Sequence, residues 1–195
     1  MNYDTIRNKF YENGGYAEVP EMVSNDILII LKAMNRMIIK NGYLRQEDGK
    51  FIEDARGKHG LQISELLLLY FKHHYSLILG KNLIPTYSYT RIYKMDSGLP
   101  KHSDRPSCQY SITLNIGASS PEPWPFFCQA KTPGAVETKI YNKLYTPIIY
   151  MGEEVTHWRD KLEKEHSTHV FLHYVDGDDE KYRPYWYDKR KFVGQ

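Results

Sequence analysis

A chain of 195 residues is long enough for one domain with a substantial core, and a second domain is not expected. Its 26 basic and 24 acidic residues are mixed along the chain, and a net charge of +2 argues against nucleic acid or an anionic membrane as partner. Two cysteines cannot staple a fold of this size, so reduced thiols and a cytoplasmic location are expected. The opening MNYDTIRNKFYENGG lacks the apolar centre of a signal peptide, and no apolar run approaches the roughly 20 residues that cross a bilayer.

In chain order, Ser24 or Asn25 can cap a helix running to about Lys40, with Ile27, Ile30, Leu31, Met34 and Ile38 on one face. Asn41-Gly42 is its stop. Residues Gln46 to Gly60 are charged and punctuated by glycine, and they read as a loop. A second helix is expected from about Leu61 to Leu79, ended by Gly80. Its LLLLYF stretch is apolar nearly all round, which implies burial.

From Pro85 the texture changes. Tyr87 to Met95, Cys108 to Ile116, Trp124 to Gln129, Val136 to Tyr141, Thr146 to Met151 and Thr168 to Val175 are runs of aromatic and β-branched residues between turn-formers. The 17 tyrosines belong with such half-wet strands. Helices followed by strands predict an α+β, mainly β chain: a sandwich, jelly roll or barrel buttressed by N-terminal helices. Residues 1–82 form the helical support, 83–176 the strand core and 177–195 a tail. In the run after Cys108, Ser111, Thr113 and Asn115 alternate with Tyr110, Ile112 and Leu114. A wet interior would turn the polar set inward, and a dry one would turn Tyr110 inward.

His102 and Asp104 stand two positions apart just before that run, so on a strand both point the same way. His-x-Asp alone is a common coincidence. A further histidine adds meaning, because two imidazoles and a carboxylate can hold one face of an iron ion and leave the other open for oxygen chemistry. The preferred third ligand is His157, which a strand and a short turn would bring to a sheet end. His173 is the chief competitor, and a histidine in mid-strand is more often a satisfied core residue. His166 and His169 lie nearby.

Two motifs carry a resemblance. Tyr93, Gly98, His102 and Asp104 realise Y-x-x-x-x-G-x-x-x-H-x-D, and Gly152, Glu154 and His157 realise G-x-E-x-x-H. From about Pro85 to Val175 the chain resembles the Fe(II)- and 2-oxoglutarate-dependent dioxygenases, in their prolyl-hydroxylase-like branch. The resemblance implies a double-stranded β-helix with iron at its open end, held by His102, Asp104 and His157. It implies Fe(II), 2-oxoglutarate and O2 as cofactors. The reaction implied is hydroxylation of an unactivated C–H bond in a peptide or small molecule, with release of succinate and carbon dioxide. In that family an Arg or Lys on the strand after the distal histidine meets the far carboxylate of 2-oxoglutarate, and here the position falls at Ser167. Arg159 and Arg91 are the substitute cations, and His169, Tyr93 and Ser167 are further polar contacts. A cupin-like metal protein that does not use 2-oxoglutarate is the alternative. A zinc hydrolase with Glu154 as base and a non-catalytic jelly roll with its histidines dispersed are further readings. The prime substrate and the oligomeric state have no signature in the sequence.

Overall fold

The computed structural model describes residues 1–46, 52 and 55–194. In chain order the elements are α1 (Tyr3–Glu12), β1 (Tyr16–Glu18), α2 (Asn25–Asn41), β2 (Arg45–Gln46), β3 (Arg56–His59) and α3 (Gln62–Leu79). They continue as β4 (Leu83–Lys94), β5 (Leu99–His102), β6 (Tyr110–Ala118), β7 (Trp124–Ala130) and β8 (Thr138–Asn142). β9 (Ile148–Met151), β10 (Val155–Arg159) and β11 (His166–Asp176) complete the set, and short 3-10 turns span Glu180–Lys189. Among the described residues no helix is long and apolar enough to cross a membrane.

Local chemistry explains the helix ends. The Ser24 hydroxyl accepts from the Ile27 N–H to open α2, and Gly42 closes it at φ 60°, a conformation that costs glycine nothing. Ile27, Leu31, Met34 and Ile38 are buried, whereas Ile30, expected on the same stripe, faces solvent. In α3 the residues Leu67, Leu68, Phe71, Tyr75 and Ile78 are all buried. α1 is an addition to the expected elements. Its sequence is polar, and it is held by buried Phe10 and by Arg7, whose guanidinium donates to the carbonyls of Ile78 and Leu77 at 2.6 and 2.7 Å.

The strands form two antiparallel sheets among the described residues. One has the order β1-β9-β6-β11-β4-β3-β2 and the other β5-β10-β7-β8. The helices cover the outer face of the larger sheet. Tyr110, Ile112, Leu114 and Ile116 of β6 and Val170, Leu172 and Tyr174 of β11 join α2 and α3 there in one apolar core. Strand alternation then sends Ser111, Thr113 and Asn115, with His169, Phe171 and His173, into the space between the sheets. The inward face of β6 is therefore the polar one, and Tyr110 packs under the helices against Tyr75. This is the double-stranded β-helix, or jelly roll, with a helical buttress.

One expected loop contains a strand. Arg56–His59 pairs with Arg91, Thr90 and their neighbours along β4, although its composition is poor for a strand. The exposed edge of β4 supplies the backbone partners that this segment lacks by itself. The rest of that loop, residues 47–51, 53 and 54, lies outside the described residues. His157 is likewise on a strand rather than after a turn. The tail folds back, and Arg190 pairs with buried Glu65 of α3 at 2.9 Å.

Candidate metal centre

β5 and β10 pair antiparallel with His102 directly opposite His157. Asp104, two residues past the end of β5, is positioned by its N–H, which donates to the Gly152 carbonyl at 2.9 Å. Gly152 makes this approach possible. A Cβ there would stand 2.1 Å from the Cys108 carbonyl oxygen and 2.6 Å from Asp104 Oδ2. Glycine is needed at this point for close approach, not for an unusual φ.

Both imidazoles are oriented by main chain. His102 Nδ1 lies 2.7 Å from the Pro100 carbonyl, and His157 Nδ1 lies 2.9 Å from the Val155 carbonyl. A carbonyl only accepts, so each ring carries a proton on Nδ1 and turns Nε2 inward. The two Nε2 atoms stand 3.5 and 3.6 Å from Asp104 Oδ1. One ligand atom from each of the three residues lies within 4.8 Å of the others. Three electron-pair donors facing one point suit a cation, and nitrogen with carboxylate oxygen suits Fe(II) among the divalent ions.

The electrostatics agree. Burial would raise the Asp104 carboxyl, but the His102 hydrogen bond and the surrounding imidazoles outweigh it and hold it below its ordinary value. Burial lowers His157 to about 4, against the pull of Asp104, so it stays neutral and able to bind metal. At His102 burial is outweighed by Asp104 and the Pro100 carbonyl, and the value is raised.

These residues border a cavity of 350 Å³. Alternation along β4 turns Tyr87, Tyr89, Arg91 and Tyr93 toward it, with Phe171 and His173 of β11 alongside. The Arg91 guanidinium lies 4.9, 5.5 and 5.8 Å from the rings of Tyr89, Tyr93 and Phe171, and it donates to the Tyr93 hydroxyl at 3.3 Å. Of the five residues expected to contact the co-substrate, Arg91 and Tyr93 line this cavity.

Arg159, Ser167 and His169 do not. Arg159 is buried with its guanidinium donating to the Trp124 and Pro125 carbonyls and to Asn142 Oδ1, at 2.9, 3.2 and 2.9 Å. His169 shares a 2.9 Å hydrogen bond with Ser167 and is kept neutral by burial, reinforced by the charges of Arg159, Arg91 and Lys164. Among the described residues, Thr113 Oγ1 and His169 Nδ1 are buried with no hydrogen-bond partner. Unpaired polar atoms of this kind inside the barrel fit a chain that takes up a polar ligand.

His173 belongs to a second group, with Cys108 and Asp104, whose ligand atoms also lie within 4.8 Å. Burial, with the Asp104 charge, pushes the Cys108 thiol up to about 12, and its Sγ sits 3.0 Å from the Tyr87 hydroxyl. A thiol that keeps its proton is a poor metal ligand, so the first group is the better candidate for a metal. Sequence reasoning passed over Ser111 as a neighbour of Asp104. The available signal was its place on the inward polar face of β6.

No protein-family model matches the chain, and no curated protein matches it. Solved structures do. A prolyl-4-hydroxylase from Pseudomonas putida superposes with a TM-score of 0.67 at 12% identity, covering 89% of this chain and 98% of that one. An oxidoreductase of the 2OG-Fe(II) oxygenase family from Burkholderia pseudomallei gives 0.70 at 14%, covering 90% of each chain. HygX from Streptomyces hygroscopicus, solved with nickel and 2-oxoglutarate bound, gives 0.67 at 12%, covering 88% of this chain and 86% of that one. At these identities the likeness is one of fold, and the fold is that of the 2-oxoglutarate–Fe(II) oxygenases.

Proposed function

We propose that the chain is an Fe(II)- and 2-oxoglutarate-dependent oxygenase that hydroxylates an unactivated C–H bond of a peptide or small molecule. The observation that carries the reading is the meeting of His102 Nε2, Asp104 Oδ1 and His157 Nε2 at the wall of a cavity that also holds Arg91. His102, Asp104 and His157 would hold the metal on one face. Bound iron, with 2-oxoglutarate and O2, supplies oxidative decarboxylation to succinate and carbon dioxide coupled to oxygen insertion into the C–H bond.

The chain's own residues orient and enclose. Arg91 takes the far carboxylate of 2-oxoglutarate, because a planar guanidinium suits a carboxylate and this one faces the metal cavity. The Tyr93 hydroxyl adds a second contact. Arg159 supports that end of the barrel through its three hydrogen bonds to Trp124, Pro125 and Asn142. The rings of Tyr87, Tyr89 and Phe171 exclude water from the reacting carbon. The two buried free thiols support a reducing compartment such as the cytoplasm.

The test is anaerobic addition of Fe(II) followed by 2-oxoglutarate. A weak visible charge-transfer band is expected. Metal binding without the band would favour a cupin-like protein or a hydrolase, and no metal binding would leave a structural jelly roll. Arg91→Ala should weaken 2-oxoglutarate binding while leaving metal binding intact.

A further inference from the structure

Resting on that reading, we propose that Ser111 and His173 are positioning residues for Asp104, a hydroxyl and an imidazole that hold its carboxylate to one-oxygen coordination. The two carboxylate oxygens live in different surroundings. Oδ1 faces His102 and His157, whereas Oδ2 is turned to the Ser111 hydroxyl at 3.3 Å. Ser111 is fully buried on β6, directly across from His173 on β11.

Ser111 also hydrogen-bonds with the Tyr150 hydroxyl, and its three other contacts fit together in one way. Its oxygen lies 3.3 Å from Asp104 Oδ2, 3.2 Å from the Cys108 carbonyl and 2.8 Å from His173 Nδ1. A carboxylate and a carbonyl only accept, so the single hydroxyl proton is shared between them. The imidazole must then be the donor, with its proton on Nδ1 pointing at the serine oxygen. His173 thereby fixes which way the serine proton points. Gly152 closes the remaining side, because its backbone packs so near Oδ2 that a Cβ would stand 2.6 Å away.

The consequence is a count of open positions. A metal held by His102, His157 and one oxygen of Asp104 would keep open positions for a two-point keto acid and dioxygen. A carboxylate that swung to bind through both oxygens would take one of them. Metal would still bind, but the co-substrate would compete for space. The relay therefore acts on 2-oxoglutarate affinity rather than on retention of the metal.

The experiment separates the two affinities on the full chain. Co(II) titration reads metal binding, and anaerobic titration of 2-oxoglutarate into Fe(II)-loaded protein reads co-substrate binding from the visible band. Ser111→Ala and His173→Leu should raise the Kd for 2-oxoglutarate at least roughly tenfold, and should lose clearly less affinity for Co(II) than for 2-oxoglutarate. Ser111→Thr restores the hydroxyl and should bring that Kd back within about threefold. His173→Gln, which keeps a side-chain N–H, should lie between Leu and the parent. If Ser111→Ala and His173→Leu bind 2-oxoglutarate as the parent does, or lose Co(II) and 2-oxoglutarate affinity equally, the relay is wrong. A parent chain that binds Co(II) and shows no band overturns the oxygenase reading itself and the relay with it. A parent band with unmoved variants overturns the relay alone.

Discussion

Two buried histidines make the site sensitive to acid. Burial lowers both His157 and His173 from 6.5 to about 4, against the attraction of Asp104. Between those values the unfolded chain binds a proton at each position that the folded chain refuses. Stability of the metal-free chain therefore falls as pH falls through this window, by up to about 1.4 kcal/mol per pH unit for each histidine. His102 is raised, so its contribution changes only above 6.5 and does not offset the loss. The urea midpoint should be lower near pH 5 than near pH 6.5, and a flat profile would contradict the neutral burial of these rings. Gly152→Ala should cost about 1–3 kcal/mol by overpacking and weaken metal binding, because the new methyl meets Asp104 Oδ2 and the Cys108 carbonyl. Asp104→Ala should abolish metal binding while thermal unfolding remains cooperative. At this scale His-x-Asp and a distal histidine were legible, because ligand chemistry restricts residue type. The choice of His157 over His173 was not settled by spacing, since both lie on strands. Pairing of β10 with β5 sets His157 across from His102, and pairing of β11 with β6 sets His173 against Ser111.

Elements announced themselves where their own residues carry the signal. α2 has its serine cap and glycine stop, and α3 has its apolar run and Gly80 at φ 66°. β3 was missed because its partner, not its composition, makes it a strand, and β10 because it is only five residues long and follows an acidic turn. The tail shows the same dependence. Glu65 accepts from the Ser88 hydroxyl at 2.6 Å, from Arg190 at 2.9 Å and from the Gly194 N–H at 2.9 Å, tying α3, β4 and the C-terminal segment together. Those donors outweigh burial and hold the Glu65 carboxyl below its ordinary value. Arg190→Ala leaves that buried charge short of its cation and should destabilise the chain by about 3 kcal/mol. Limited proteolysis should then cut first after residue 176, and a variant that resists cleavage like the parent would show that the tail is held by other contacts.

Across the whole molecule, a layer of helices and the cavity between the sheets divide the work. The apolar core between α2, α3 and the larger sheet carries stability, and the space between the sheets holds the candidate site. Phe71→Ala opens a cavity in that core and should cost about 3–5 kcal/mol in urea unfolding, with metal affinity of the folded fraction unchanged. Composition, period-2 runs and two helical stripes were enough to determine a mainly β sandwich, jelly roll or barrel behind helices, because those patterns arise from which faces meet water. The jelly roll itself was implied by the family resemblance, and the residue types a metal would need were legible in His-x-Asp and a distal histidine. Which polar side chains meet was decided only in three dimensions. Ser111 beside Asp104, Arg91 in the cavity bordered by His102, Asp104 and His157, and Arg159 tied to main-chain carbonyls outside it all depend on strand register, and register is fixed by contacts between segments far apart in the chain.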